Sequence, residues 1–256
     1  MTSICWFRTD LRIHDQPALY AAAQEGPVIG LFIISEQQWA QHQDAPIKVD
    51  FWLRALHSLS TDLSARNIPL KLLIVPKWKD VPAALLSFAK KYSADTVHCN
   101  REYGLNERNR DRASYKLLKE HGITLTGHLG TTIFEPGTIK TGGDGYYRVF
   151  TPFSRACRSA LEKRPYALTP DPGKQAKLDS VVPDAIPTSL TYCKDVSETI
   201  RAGWPASETE AHNRLDKFSQ EAIYHYQRDR DFPALPGTST LSPYLAAGLL
   251  SVGQCL

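Results

Sequence analysis

The sequence predicts an α/β fold built on an open, five-stranded parallel sheet of the Rossmann-like type. Three observations carry the prediction. Short apolar runs recur through the first 130 residues, segments of helical period separate them, and the spacing leaves room for a crossover between successive strands. The runs fall at residues 4–7, 28–34, 70–75, 96–99 and 124–129. Their near-continuous apolar character suits a sheet covered on both faces. Between them, Leu53, Leu56, Leu59 and Leu63 share one helical stripe, and Leu85, Phe88 and Tyr92 share another. Right-handed crossovers then place helices on both sides of the sheet.

Composition narrows the class. The chain has 256 residues, 42% hydrophobic and 22% charged, which is enough for one large or two modest domains with real cores. Thirty Lys and Arg against 27 Asp and Glu leave a net charge of +3, so charge alone names no nucleic-acid partner. The five cysteines (Cys5, Cys99, Cys157, Cys193 and Cys255) form no C-x-x-C pair. This suits reduced thiols in a cytoplasmic setting and gives no zinc signal. No apolar run approaches a membrane span, and residues 3–7 read as a strand rather than as a secretory signal. The eight histidines show no metal-ligand spacing, and neither G-x-S-x-G nor H-E-x-x-H occurs.

Open parallel sheets bind ligands beyond the carboxyl ends of their strands. Two loops there are rich in polar groups, residues 8–15 and 100–111. The first lacks G-x-G-x-x-G, so a nicotinamide dehydrogenase is not expected. Read locally, Asp15 before Gln16-Pro17 is a helix cap. Arg108, Arg110, Asp111 and Arg112 read as a solvated helix face with local ion pairs. Arg155, Arg158, Lys163 and Arg164 read the same way.

Residues 237–250 read as a hydroxyl-rich loop entering a helix. Ser242 is the expected N-cap and Pro243 the first helical residue. Thr238, Ser239 and Ser242 gather hydroxyls beside free backbone N–H groups, which suits a phosphate. Tyr244, Leu245, Leu249 and Leu250 supply an apolar face. That face is expected to lie open in residues 205–256 and to invite association.

Three motifs point to a family. Trp6-Phe7-Arg8-Thr9-Asp10-Leu11-Arg12-Ile13-His14-Asp15 resembles the W-F-R-x-D-L-R-x-x-D opening of the DNA photolyase/cryptochrome family. Tyr147-Arg148-Val149-Phe150-Thr151-Pro152-Phe153 resembles its Y-x-V-F-T-P-F segment. Arg230-Asp231-Phe232-Pro233, followed by Gly237-Thr238-Ser239-Thr240-Leu241-Ser242, resembles the lead into its flavin site. The nearest resemblance is to the folate-using class I cyclobutane pyrimidine dimer photolyases. It implies an α/β antenna domain over 1–130, an interdomain linker over 131–200 and the opening of a helical FAD-binding domain over 201–256.

The resemblance also implies roles. Asn106 and Glu107 match an Asn-Glu pair that contacts 5,10-methenyltetrahydrofolate, with a deazaflavin in a deeper pocket as the alternative antenna. Tyr226, expected on a helix from Ser207 with Leu215, Phe218 and Ala222 on its stripe, matches an FAD contact. Thr238, Ser239, Thr240, Leu241 and Ser242 match the FAD phosphate loop. Ser251-Val252-Gly253-Gln254-Cys255-Leu256 departs from the family's S-P-R-Q-C-L at two positions. The implied activity is light-driven electron donation from FAD to a dimer flipped out of damaged DNA, with no membrane involved. The family's flavin-ring surroundings and DNA groove lie in a part of its architecture that this chain does not include. No catalytic residue is therefore assigned, and the chain alone is expected to be inactive. The alternatives are a cryptochrome-like blue-light receptor fragment and a stand-alone folate-binding antenna module. The last would fold when cut near residue 200.

Overall fold

The computed structural model describes residues 2–193 and 195–256. Five strands, β1 (Thr2–Phe7), β2 (Val28–Ile34), β3 (Leu70–Ile74), β4 (Ala94–Asn100) and β5 (Thr124–His128), form one parallel sheet in the order β3-β2-β1-β4-β5. Each of the five apolar runs is a strand. Between them lie α1 (Pro17–Glu25), α2 (Glu36–Gln41), α3 (Pro46–Ala65), α4 (Val81–Lys91) and α5 (Leu105–Glu120). Alternation along the strands divides the core. Cys5, Phe7, Phe32 and Ile34 face α1 and α3, while Ile4, Trp6, Ile29, Leu31 and Val97 face α4 and α5. The order reverses at β1 and β4, so a crevice opens at their carboxyl ends.

After β5 the chain runs back over the α/β unit. The Gln175 side chain accepts from Val28 N at 2.7 Å and donates to Val28 O and Asn67 O at 3.0 Å. Asp184 accepts from Leu72 N at 2.8 Å and pairs with Lys71. Tyr192 donates its hydroxyl to Asp44 O at 2.5 Å. This segment also carries α6 (Phe150–Lys163), whose 14 residues include none that is buried.

The last part holds α7 (Glu198–Gly203), α8 (Glu208–Gln220), α9 (Tyr226–Asp229) and α10 (Ser242–Ala247). Ser207 caps α8 by accepting from Glu210 N. The helix expected to continue to Tyr226 breaks instead at Glu221, with φ −123° and ψ −72°. Residues 222–230 are almost all exposed. A continuous helix there has little surface to bury its stripe against, and only short helical turns form.

Two expectations about α10 are corrected. Leu241, not Ser242, holds the N-cap position, and no side chain caps the helix. Leu241 is drawn into the core, which moves the helix start by one residue. The apolar face is also not open. Leu241, Tyr244, Ala247, Leu249 and Leu250 are buried in the same core as Phe7, Leu11 and α3, and only Leu245 remains exposed. Other exposed apolar residues of this part lie upstream, among them Ile223, Tyr224, Phe232 and Leu235, and downstream at Val252 and Leu256.

The β1–α1 loop anchors this packing. Leu11 N donates to Ala247 O at 3.1 Å. Buried Arg12 donates to the carbonyls of His14, Asp15, Gly130 and Gly248 at 2.8–3.1 Å. Burial lowers its pKa against the pull of Asp10 and Asp15. Glu208 accepts from Ile13 N, His14 N and His14 Nδ1 at 2.7–3.1 Å. Gly248 sits at φ 67°, and a Cβ there would lie 2.2 Å from Thr9 O and 2.3 Å from Asp10 Cα. Asp15 is not a helix cap. Gln16 takes that position, and the Asp15 carboxylate instead accepts from Ser251 Oγ at 2.6 Å, Thr169 N at 2.8 Å and Tyr166 Oη at 3.1 Å.

Candidate functional site

The crevice at the strand ends holds a cleft of about 150 Å³. Its floor comes from the ends of β1 and β2 and the residues that follow them: Trp6, Phe7, Arg8, Phe32 and Ser35. Trp39, Trp52 and Trp78 wall it with indole surface, and Glu102, Glu107 and Arg110 enter from the β4–α5 side.

Cations and rings alternate through the wall. Arg8 Cζ lies 4.9 Å from the Trp6 ring centroid. Arg110 Cζ lies 4.8 Å from Trp6 and 4.9 Å from Trp78. His42 meets Trp78 edge-on at 5.0 Å. Carboxylates compensate the two arginines. Arg8 Nη1 donates to Asp111 at 2.7 Å, and Arg110 Nη2 donates to Glu102 at 2.7 Å and to Asp111 at 2.8 Å. Burial works against the Arg8 charge, yet Cys99, Glu102, Asp111 and Asp10 hold its pKa above the ordinary value. Burial likewise pushes Glu102 up, but Arg8 and Arg110 with the Thr9 hydroxyl keep it below the usual carboxylate range. Both groups are therefore charged at neutral pH. Arg110 and Asp111 are thus not a solvated face, whereas Arg108 and Arg112 are exposed as expected.

Two polar groups in the cleft lack partners. Arg8 Nη2 and Ser35 Oγ are buried without a hydrogen bond among the described residues, and Arg8 Nε faces Glu102 at 3.5 Å without closing one. A buried polar group left so is costly. A ligand carbonyl reaching them from the cleft would relieve that cost. Glu107 lies in the first turn of α5, its carboxylate folded over Gly104 where a Cβ would come within 2.0 Å. It therefore faces the helix dipole and lines the cleft together. Asn106 is exposed at the mouth, 3.4 Å from His42 Nε2. The donors and acceptors present fit a flat heterocycle with a carbonyl and an N–H edge.

Sequence reasoning placed Arg8 in a polar strand-end loop without giving it a role, and it did not select Ser35, Trp39, His42 or Trp78. Arg8 and Ser35 each follow directly on a strand end, which was the available signal.

The other predicted residues lie apart from the cleft. Thr238, Thr240 and Ser242 are exposed, Ser239 is half-buried and the Leu241 side chain is in the core. Arg214, held by Glu210 at 2.7 Å and Gly203 O at 2.8 Å, reaches 3.4 Å from Thr240 Oγ1. It brings a fixed positive charge to this loop. Tyr226 is 39% exposed and packs edge-on against Phe218 at 5.7 Å. No helix among the described residues is long and apolar enough to cross a membrane.

A family model described as DNA photolyase matches residues 3–173. The deoxyribodipyrimidine photo-lyase of Vibrio cholerae is 36% identical over 268 residues, covering 99% of this chain and 54% of that protein. The crystal structure of a class III photolyase from Agrobacterium tumefaciens superposes with a TM-score of 0.78 at 32% identity, over 99% of this chain and 52% of that one. An uncharacterized 31.6 kDa protein of Synechococcus is 30% identical over 248 residues, covering 96% of this chain and 85% of that protein. The chain spans about half the length of the photo-lyases it matches. With its sheet order, its strand-end cleft and these matches, the chain belongs to the DNA photolyase family.

Proposed function

We propose that this chain is the front half of a light-dependent deoxyribodipyrimidine photo-lyase that repairs cyclobutane pyrimidine dimers, and that its strand-end cleft seats a folate antenna, 5,10-methenyltetrahydrofolate. The observation that carries the reading is the pair of buried, unpartnered groups, Arg8 Nη2 and Ser35 Oγ, in an indole-walled cleft beside Glu107. Arg8 and Ser35 donate to a ring carbonyl, while the Glu107 carboxylate accepts from a ring N–H and amino edge. Trp39, Trp52 and Trp78 exclude water and offer flat apolar surface. Asn106 and His42 close the mouth.

The same reading assigns FAD to the loop before α10. Thr238, Ser239, Thr240 and Ser242 offer hydroxyls and Leu241 its main chain to the phosphates, with Arg214 as counter-charge and Tyr226 as a contact. When bound, the folate supplies light absorption and the flavin the light-driven electron. Damaged DNA is the substrate of the whole photo-lyase, of which this chain corresponds to the front half.

The test is retention of 5,10-methenyltetrahydrofolate by the purified chain after desalting, read by absorbance and mass spectrometry. One equivalent is expected. Glu107→Ala should weaken binding by about 10–100-fold, the loss of a charge-assisted hydrogen bond of about 1.5–3 kcal/mol. No retained folate, or an unchanged affinity in Glu107→Ala, overturns the assignment. A second reading, a folate-binding module without repair activity, draws support from the 31.6 kDa relative, most of which this chain covers. Stable folding of residues 1–200 with folate retained favours it.

A further inference from the structure

We infer that Trp78, held in place by Arg110, sets the ring size of the chromophore that the cleft admits: a fused bicycle enters and a fused tricycle is refused. The inference rests on the reading of the cleft as a chromophore site.

The cleft, about 150 Å³, is half the lower end of the roughly 300–1,000 Å³ usual for small-molecule sites. Most of its wall cannot yield. Trp6, Phe7 and Phe32 are core residues of the sheet. Trp39 and Trp52 are buried and pack on one another, with centroids 5.4 Å apart. Interiors packed at this density open only by moving whole elements.

Trp78 is different. It is only half-buried, on the single turn of 3₁₀ helix Trp78–Asp80 at the rim. It is fixed from two directions, by the Arg110 guanidinium over its face at 4.9 Å and by the edge of His42 at 5.0 Å. Arg110 cannot follow an outward swing of Trp78, because it also lies over the Trp6 ring at 4.8 Å and Glu102 and Asp111 hold its guanidinium. A third ring would have to displace Trp78 and break a desolvated cation–π pair. A bicycle anchored at Arg8, Ser35 and Glu107 leaves that pair intact.

The experiment compares binding of 5,10-methenyltetrahydrofolate and of riboflavin, a tricycle without phosphates, to the full chain by fluorescence titration. The variants are Trp78→Ala and Trp78→Phe. The wild type should bind folate at least tenfold more tightly than riboflavin. Trp78→Ala should gain at least tenfold in riboflavin affinity, and Trp78→Phe should stay close to wild type. Trp78→Leu gives the same readout should the alanine variant fail to fold. The inference is overturned if the wild type takes riboflavin as tightly as folate, or if neither truncated variant gains riboflavin affinity while the wild type binds folate. Binding of neither ligand by the wild type removes the chromophore-site reading itself, and the inference with it.

Discussion

Two apolar stripes of this chain meet opposite fates. The segment 241–250 and α6 both present regular apolar faces in the sequence. In the first, Leu241, Tyr244, Ala247, Leu249 and Leu250 are sealed into the core of the α/β unit. In the second, no residue is buried, and Phe150 and Phe153 stay exposed beside Tyr146 and Val149. The difference is not in the stripes. It lies in the loop 8–15, whose Arg12, Asp15 and main-chain N–H groups supply partners to Ala247, Gly248, Glu208 and Ser251. Among the described residues no comparable set of polar ties draws α6 inward. Periodicity thus tells that a face needs cover, and polar anchoring decides which surface provides it.

The strongest test removes one side of the comparison. Cutting the chain near residue 200 uncovers α3 and the β1–α1 loop. Each large apolar side chain lost from the core contributes about 1.5–3 kcal/mol, so four of them approach the roughly 5–15 kcal/mol of a whole domain. Residues 1–200 should lose cooperative thermal unfolding, contrary to the expectation that a stand-alone module folds when cut there. A sharp melt of that fragment near the full-length temperature would break the comparison.

A smaller change should act at a single contact. Gly248→Val places a side chain against the Thr9 and Asp10 backbone at a positive φ. It should cost about 4 kcal/mol in chemical denaturation. A loss below about 1 kcal/mol would show that the segment is not clamped to the loop.

Acid should loosen the sheet edge, outside both stripes. His128, at the end of β5, is pushed down to about 4 by burial, with His98 and Arg101 adding to it. The unfolded chain then binds more protons than the native one between its ordinary value of 6.5 and about 4. Stability falls as pH drops through that window, while the carbonyls held by Arg12 do not titrate. Denaturation across this range should show a shallower loss in His128→Gln than in wild type; parallel curves would remove His128 from the account. The smallest effect is expected at α6. Phe150→Ser should change stability by less than about 0.5 kcal/mol, since the ring is exposed. A larger loss in thermal unfolding would mean that α6 is anchored after all.

Much of the fold was legible because its signals are local. A strand such as Val28–Ile34 is set by its own apolar run, and α3 by the spacing of Leu53, Leu56, Leu59 and Leu63. The candidate site was legible in part. Glu107 was found through the resemblance, and Arg8 and Ser35 are marked only by their place directly after a strand end, while Trp78 carries no local mark of its position. Arg110 read as surface, because nothing near it in the chain shows that Trp6 and Trp78 close over it.

The sequence by itself determined the five strands, their helices and the family motifs, since these rest on periodicity and on residues close in the chain. Tertiary structure alone decided that Asp15 tethers Ser251 across 236 residues rather than capping α1. It likewise decided that Leu241 displaces Ser242 from the cap and that the last apolar face is buried. The reason is physical: a buried polar group takes whichever partner the fold brings within hydrogen-bond distance, and an apolar face takes whichever surface excludes water from it. Neither choice is encoded within one turn of chain.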